Sequence, residues 1–178
     1  RVWTKQGEII QSIVDNQKTI VTSGHNTGKT FLAACLVSYF FDSFPDGIVL
    51  TTAPTWTSVR ELLWANVYKL RTEALLRSSE FRNFTYGVPT MLVRSESWYA
   101  RGHNSKSSEG FQGRHGEDIL IILDEGPGCP DHIWNATESM LQSPQSRCLA
   151  IGNPLIPSGQ FYDKTLDLGW NRISMSSM

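Results

Sequence analysis

The sequence has few cysteines, no long apolar run and no excess of charge of either sign. Its three cysteines, Cys35, Cys129 and Cys148, are too few and too widely spaced for a disulfide framework or a zinc site, and they fit a reducing compartment. We find no signal peptide and no apolar run of about 20 residues, so no membrane span is predicted. With 16 basic and 17 acidic residues, the net charge of -1 gives no support for nucleic-acid binding.

The 178 residues fit one domain, and a hydrophobic content of 40% is enough for a sizeable core. Apolar periodicity predicts helices over 6–16, 30–41, 58–76 and 130–141, with Cys35 in the core. Apolar runs predict strands over 19–22, 48–52, 119–123 and 148–151, and a hairpin over 90–93 and 97–100. Residues 101–117 are predicted to form a long loop. Helices alternating with strands indicate an α/β fold with a largely parallel sheet.

A glycine-rich segment ending in Gly28-Lys29-Thr30 lies between the first predicted strand and the second predicted helix. In that position it predicts a phosphate-binding loop, in which backbone N–H groups surround the phosphates of a nucleotide. Lys29 would then reach the β and γ oxygens, and the Thr30 hydroxyl would ligate Mg²⁺. The usual first glycine is replaced by Ser23, and the alternative is a surface turn before a helix. The predicted loop comprises Ser23, Gly24, His25, Asn26, Thr27, Gly28, Lys29 and Thr30.

Two adjacent acidic residues, Asp124 and Glu125, follow the apolar run at 119–123. An acid at the end of a buried strand beside a phosphate loop holds Mg²⁺, and a following glutamate can polarise the attacking water. We therefore predict Asp124 as a metal ligand and Glu125 as the catalytic base. The alternative is that both acids end a strand at a solvated edge.

Asn153 follows the next core strand within Gly152-Asn153-Pro154. Its amide is placed to contact the γ-phosphate or the attacking water. From spacing alone, Asn-Pro after a strand is favoured as an ordinary turn.

Six motifs, in this order, resemble the ATPase domain of the large terminase subunit of tailed bacteriophages. They are Gln6-x-Glu8-Ile9, the loop 23–30, Thr51-Thr52-Ala53-Pro54-Thr55, Gly110-Phe111-Gln112-Gly113-Arg114-His115, Leu123-Asp124-Glu125 and Ile151-Gly152-Asn153-Pro154. The resemblance extends from about Trp3 to Tyr162. It implies a RecA-like ATPase core that uses ATP and Mg²⁺ to move viral DNA into a procapsid.

The resemblance also assigns roles to single residues. Gln6 matches the glutamine that reads adenine, and Asn153 matches the position that couples hydrolysis to movement. Such motors need an arginine that neutralises charge on the γ-phosphate, often from a neighbouring subunit. Arg101 and Arg114, in the predicted loop before the Asp-Glu strand, are both candidates, and solvated loop charges are the alternative.

The resemblance further implies a set of partners and a compartment. Expected partners are double-stranded DNA, bound weakly or transiently, a portal protein, a small terminase subunit and other copies of the chain in a ring. The expected compartment is the host bacterial cytoplasm. We expect residues 1-178 to be a single ATPase domain cut from a longer polypeptide, without the RNase H-like nuclease domain that typically follows.

A basic and aromatic surface for DNA is one interpretation of six residues: Arg71, Arg77, Arg82, Arg94, Trp98 and Tyr99. A solvated helix face with a hairpin core is the favoured interpretation. For the whole chain, two other functions stay open. One is a helicase-like nucleic-acid translocase, and the other is a nucleotide-binding module without turnover, which only Ser23 suggests.

Overall fold

The computed structural model describes residues 4–24, 27–78, 85–86, 90–106, 111, 116–153 and 155–175. The α-helices are α1 Thr4–Asp15, α2 Lys29–Ser43, α3 Ala65–Arg77, α4 Asp131–Met140 and α5 Gln160–Leu166. The strands are β1 Lys18–Ser23, β2 Ile48–Ala53, β3 Thr85–Tyr86, β4 Met91–Val93, β5 Tyr99–Asn104, β6 Ile119–Leu123, β7 Arg147–Gly152 and β8 Asn171–Met175.

Within the described residues these strands form one sheet in the order β3-β4-β5-β2-β6-β7-β1-β8. All pairings from β5 to β8 are parallel, and the hairpin β3-β4-β5 at the other edge is antiparallel. The predicted α/β fold, with a mainly parallel sheet flanked by helices, is confirmed, as is the hairpin. Because parallel strands end at one edge, their C-terminal ends place several loops side by side.

Each face of the sheet carries its own hydrophobic core. Alternation along the buried strands sends Val49 to the core shared with α1, α2 and α3, and Ile48 and Leu50 to the core shared with α4 and α5. The largest buried side chain of the first core is Trp64, and that of the second is Trp134. The central strand β6 is apolar throughout since both of its faces are covered.

The helix predicted over 58–76 has two parts. A π-helical segment, Ser58–Trp64, precedes α3. It brings the Trp64 ring over β5, where a Cβ atom on Gly102 would lie only 2.6 Å from Trp64 Nε1. Gly102 is therefore required for this close approach, and the indole donates a 2.9 Å hydrogen bond to Thr51 Oγ1 on β2.

The loop predicted over 101–117 is wrong in its first part. It is a strand as far as Asn104, because β5 pairs with β2 from Tyr99 to Asn104. No element was predicted after residue 151, but the structure has α5 and β8 there, and β8 pairs with β1 and buries Met175.

The arginines and aromatic residues considered as a DNA surface are largely internal. Arg71 is 1% exposed and is ion-paired with Asp42 of α2, so both the DNA surface and the solvated helix face are wrong for this residue. Arg94 also contacts Asp42, at 3.1 Å, and lies over the Trp98 ring. Tyr99 is buried and Arg77 is exposed, whereas Arg82 lies outside the described residues.

Two smaller points complete the fold. Cys35 is half-buried on α2 rather than in the core, whereas Cys129 and Cys148 are buried, and all are free thiols. Among the described residues, no helix has the length and apolar character needed to cross a membrane.

Candidate functional site

The candidate phosphate loop, residues 23–30, joins the end of β1 to the start of α2. The Ser23 hydroxyl lies 2.5 Å from Thr27 Oγ1. The residue that replaces the usual first glycine thus forms a hydrogen bond across the loop. Gly28 has a φ of 76°, a left-handed conformation that favours glycine immediately before the helix. Lys29 donates a 3.0 Å hydrogen bond to the Gly24 carbonyl across the loop. His25 and Asn26 lie outside the described residues.

The loop is followed directly by the first turn of α2. N–H groups at the start of a helix have no partner within the helix, and together with the helix dipole they favour an anion. On its other side, the Gly24 N–H donates to the Met175 carbonyl of β8 at 3.4 Å. The unpredicted strand β8 therefore supports the loop.

Asp124 directly follows β6 and is 3% exposed. Its Oδ2 accepts a 3.0 Å hydrogen bond from the Thr30 hydroxyl, and its Oδ1 accepts one from the Glu125 N–H at 3.1 Å. Burial raises the pKa of Asp124 above its usual range, and the hydrogen bond from Thr30 offsets part of that rise. The structure thus brings together the two residues that were predicted to hold a metal.

Glu125 is exposed and has a φ of 53°, the left-handed region that non-glycine residues rarely adopt. Beside it lies a cleft of about 200 Å³ at the C-terminal edge of the sheet. Residues from four loops line this cleft: Lys29, Pro54, Glu125, Pro127, Gly128, Gly152 and Asn153. Lys29, Glu125 and Asn153, which were predicted from separate motifs, therefore meet in one place.

Gln6, on the first turns of α1, is 9% exposed and lies against the candidate phosphate loop. A Cβ atom on Gly28 would lie 3.1 Å from its Nε2 atom. The amide that was predicted to read adenine is thus placed beside the loop, and its role stays a prediction.

Of the two candidate arginines the structure describes only Arg101, and it does not line the cleft. Arg101 lies within β5, not in a loop, and pairs with Leu50, which pairs with Ile121 on β6. One strand, β2, therefore separates Arg101 from β6. Along the sheet Arg101 is level with Ile121, three residues before Asp124. Arg114 lies outside the described residues.

Four residues that line the cleft had no role predicted from the sequence: Pro54, Pro127, Gly128 and Gly152. A signal was present, because both candidate catalytic side chains have glycine as an immediate neighbour, in Glu125-Gly126 and Gly152-Asn153. Glycine beside a functional residue indicates a close approach of the backbone to another group.

The mainly parallel sheet flanked by helices defines the class, an α/β domain, and the candidate phosphate loop lies between β1 and α2. No family model matches the chain. In sequence, it is 32% identical over 176 residues to a probable terminase large subunit of Enterobacteria phage P7. The match covers 89% of this chain, which spans only 33% of the length of that relative.

Solved structures give the same result for the fold. The large terminase ATPase domain of Thermus phage P74-26 matches with a TM-score of 0.75 at 18% identity, over 99% of this chain and 81% of that one. The large terminase of another thermophilic bacteriophage, in complex with ATP-gamma-S, matches with a TM-score of 0.72 at 14% identity, over 96% of this chain and 44% of that one. The chain is a homologue of a phage terminase large subunit and has the fold of the ATPase domain of such proteins.

Proposed function

We propose that this chain is the motor ATPase domain of a phage terminase large subunit, in which ATP hydrolysis moves double-stranded DNA into a procapsid. The observation that carries the proposal is the cleft in which Lys29, Glu125 and Asn153 meet, in a chain homologous to such a subunit. The complex of a thermophilic phage large terminase with ATP-gamma-S supports a nucleoside triphosphate as the ligand.

The triphosphate binds over the candidate phosphate loop. Loop N–H groups and the N-terminus of α2 surround the phosphate oxygens. The Lys29 ammonium, which donates to the Gly24 carbonyl at 3.0 Å, exchanges this neutral acceptor for charged phosphate oxygens. The Gln6 amide, beside Gly28, hydrogen-bonds the adenine base and favours ATP over GTP.

Thr30 on α2 and Asp124 after β6 fit Mg²⁺. Thr30 Oγ1 and Asp124 Oδ2 are hard oxygen ligands that lie 3.0 Å apart, and burial leaves the carboxylate poorly compensated. No cluster of three acidic, histidine or cysteine ligands occurs in the part of the chain that the structure describes. This fits Mg²⁺, which is usually held by one or two carboxylates with phosphate oxygens and water. When bound, Mg²⁺ neutralises charge that develops on the phosphate oxygens.

Glu125 and Asn153 carry the hydrolytic step. The Glu125 carboxylate, exposed at the cleft, orients the attacking water and accepts its proton. The Asn153 amide, on the loop after β7, contacts the γ-phosphate or that water and senses hydrolysis. An arginine from a neighbouring subunit, Arg114 or Arg101, completes the charge compensation. Replacing that arginine by alanine is expected to stop hydrolysis and keep ATP binding, whereas turnover in both variants would remove the trans arginine from the proposal.

The same homology supports the wider assignment. The partners are double-stranded DNA, the portal protein, the small terminase subunit and further copies of this chain in a ring, in the cytoplasm of the bacterial host. We also propose that nuclease activity belongs to an RNase H-like domain outside this chain. Incubation with plasmid DNA and Mn²⁺ should leave the DNA intact, and metal-dependent cutting would contradict this boundary.

The test is Mg²⁺-dependent ATP hydrolysis over a range of protein concentrations, with Glu125→Gln as the paired variant. Because a trans arginine requires a neighbour, turnover should rise faster than protein concentration, and Glu125→Gln should bind ATP without hydrolysing it. ATP binding without turnover at any concentration would favour a binding module. Turnover stimulated by single-stranded rather than double-stranded DNA would favour a helicase-like translocase.

A further inference from the structure

The turn that carries Glu125 is held in a conformation that its sequence alone does not favour. Glu125 is left-handed, with a φ of 53° and a ψ of 44°, and Gly126–Gly128 then form one turn of 3₁₀ helix. Two backbone hydrogen bonds close the turn, from Gly128 N–H to Glu125 O at 2.9 Å and from Cys129 N–H to Gly126 O at 3.0 Å. A strained residue of this kind persists only where its surroundings impose it.

The surroundings that impose it are three rings in close contact with glycine backbone. A Cβ atom on Gly128 would lie 2.5 Å from Pro54 Cγ, and one on Gly152 would lie 2.1 Å from Pro127 Cδ. A Cβ atom on Gly126 would lie 2.6 Å from Phe161 Cδ2. The same Phe161 ring also faces β7, where its Cε2 would lie 3.2 Å from a Cβ atom on Gly152.

Phe161 therefore contacts two of the four loops of the cleft, the one that carries Glu125 and the one that carries Asn153. Its ring lies against Gly126, next to Glu125, and against Gly152, next to Asn153. The ring is 3% exposed and packs edge-on against Trp134, with the centroids 6.3 Å apart. Trp134 in turn packs against Trp170 at 6.0 Å, so the position of the Phe161 ring is fixed from behind.

We propose that Phe161 is a positioning residue for ATP hydrolysis, whose ring sets the distance between the Glu125 carboxylate and the Asn153 amide. This inference rests on the function proposed above. In this proposal Phe161 contacts neither the nucleotide nor the attacking water. Its ring acts by keeping Glu125 in the left-handed conformation, which the turn would otherwise leave. It also connects the two loops to α5, so a shift of Asn153 after hydrolysis is transmitted to that helix.

The first test is Phe161→Val, which removes the ring and with it the Cδ2 and Cε2 atoms that make the contacts. We expect kcat to fall by roughly 10- to 100-fold, since small displacements of catalytic groups have effects of that size. The dissociation constant of ATP-gamma-S should stay almost unchanged, because the phosphate loop is not touched. The matched control is Phe41→Val in the other core, where the ring is also fully buried. It should lower stability to a similar extent and leave kcat unchanged.

A second test uses the complementary change. In Gly126→Ala the new methyl group collides with Phe161 Cδ2, so turnover should fall. In the double variant Gly126→Ala, Phe161→Val that collision is gone, and the next atom, Trp134 Cζ2, is at an ordinary 3.4 Å. We expect the double variant to turn over faster than Gly126→Ala alone. A general loss of stability would instead make it slower. If Phe161→Val does not fold, Gly126→Ala alone decides, and wild-type kcat in that variant would overturn the proposal.

A third readout does not require turnover. Exchange of the Gly128 and Cys129 amide protons, measured by NMR, reports the two hydrogen bonds that close the turn. Phe161→Val should lose protection there and keep it along β6. A wild-type chain that binds but does not hydrolyse ATP would refute the proposed function, and exchange alone would then judge the role of Phe161. Unchanged exchange in Phe161→Val, or unchanged kcat in an active chain, would overturn the proposal.

Discussion

Two aspartates in this chain lie in polar surroundings of opposite kinds. Asp42, at the end of α2, is contacted by the guanidinium groups of Arg71 and Arg94, and the latter also lies over the Trp98 ring. The carboxylate of Asp124, at the end of β6, accepts hydrogen bonds from the Thr30 hydroxyl and a backbone N–H, and from no cation among the described residues. The cation whose charge acts on it, Lys29, donates its hydrogen bond instead to a carbonyl of its own loop.

The difference separates a structural cluster from a site. At Asp42 two cations face one carboxylate, so the charges are compensated within the fold and no ligand is required. At Asp124 burial is nearly complete and compensation is partial, which is why its pKa is raised. A buried carboxylate whose charge is only partly compensated attracts a cation. Substitutions at or near Asp42 and Asp124 test this difference between the two aspartates.

The largest expected effect is on turnover, in Lys29→Met. This change removes the one charged donor of the candidate phosphate loop while keeping an apolar stem. Removal of a preorganised donor to developing charge lowers kcat by roughly 100- to 1000-fold. Steady-state hydrolysis would measure this, with the exposed Lys69→Met on α3 as a control that should turn over normally. Near-normal hydrolysis in Lys29→Met would mean that the loop does not hold the triphosphate.

The second effect is on stability, in Arg71→Met. Arg71 is 1% exposed, so its removal leaves Asp42 with one partner in a partly buried setting. Breaking a buried ion pair from one side lowers the free energy of unfolding by about 3–5 kcal/mol. Urea unfolding would measure the loss. The exposed Arg77→Met on the same helix should change stability by less than about 0.5 kcal/mol. Equal losses in the two variants would contradict the structural role of the Asp42 cluster.

The third effect should have the opposite sign, in Asp124→Asn. Because the folded state raises the pKa of Asp124, the ionised carboxylate opposes folding above that pKa and has no such effect below the unfolded value of about 3.9. Asp124→Asn should therefore unfold at higher urea than wild type at neutral pH, and the gain should shrink as the pH falls through the folded pKa. A loss of stability at neutral pH would show that the carboxylate is already compensated.

The smallest effect concerns Glu138, a third carboxylate, which like Asp42 is contacted by two cations. Burial acts to raise its pKa, but hydrogen bonds from Lys18 and Lys164 outweigh it and lower the pKa below the usual value. Its stabilising effect is thus present above the unfolded pKa and lost as the pH falls through the folded one. Glu138→Gln should be less stable than wild type at pH 7 and converge with it in acid. A constant difference across this range would exclude the ion pairs as its cause.

Sequence patterns predicted the parts of the molecule that are built from local periodicity. The central strands β2 and β6 were predicted because both of their faces are buried, and apolar residues fill β6 and the first half of β2. The candidate site followed from the same logic, since Lys29, Asp124 and Asn153 come directly after such strands or the loops that follow them. Their convergence is a consequence of parallel pairing, which brings the C-terminal ends of strands to one edge.

The parts that were missed depend on partners distant in sequence. Strand β8 is polar and largely exposed, and only its backbone pairing with β1 makes it a strand. Arg71 has the sequence pattern of a surface charge on a helix, and its burial depends on Asp42, 29 residues earlier. The packing of Phe161 against Gly126 brings together residues 35 positions apart, and the periodicity of apolar residues cannot predict such a contact.

The most direct test of the contrast between the two aspartates is the affinity for ATP-gamma-S, measured calorimetrically with and without Mg²⁺ in wild type and in Asp124→Asn. If the Asp124 carboxylate binds Mg²⁺ together with the nucleotide, Mg²⁺ should lower the dissociation constant of ATP-gamma-S for wild type by roughly 10-fold or more. That corresponds to a coupling free energy between metal and nucleotide of about 1.4 kcal/mol. Asp124→Asn should show little of that gain. An equal gain from Mg²⁺ in both proteins would contradict the account, because the metal would then be held without Asp124.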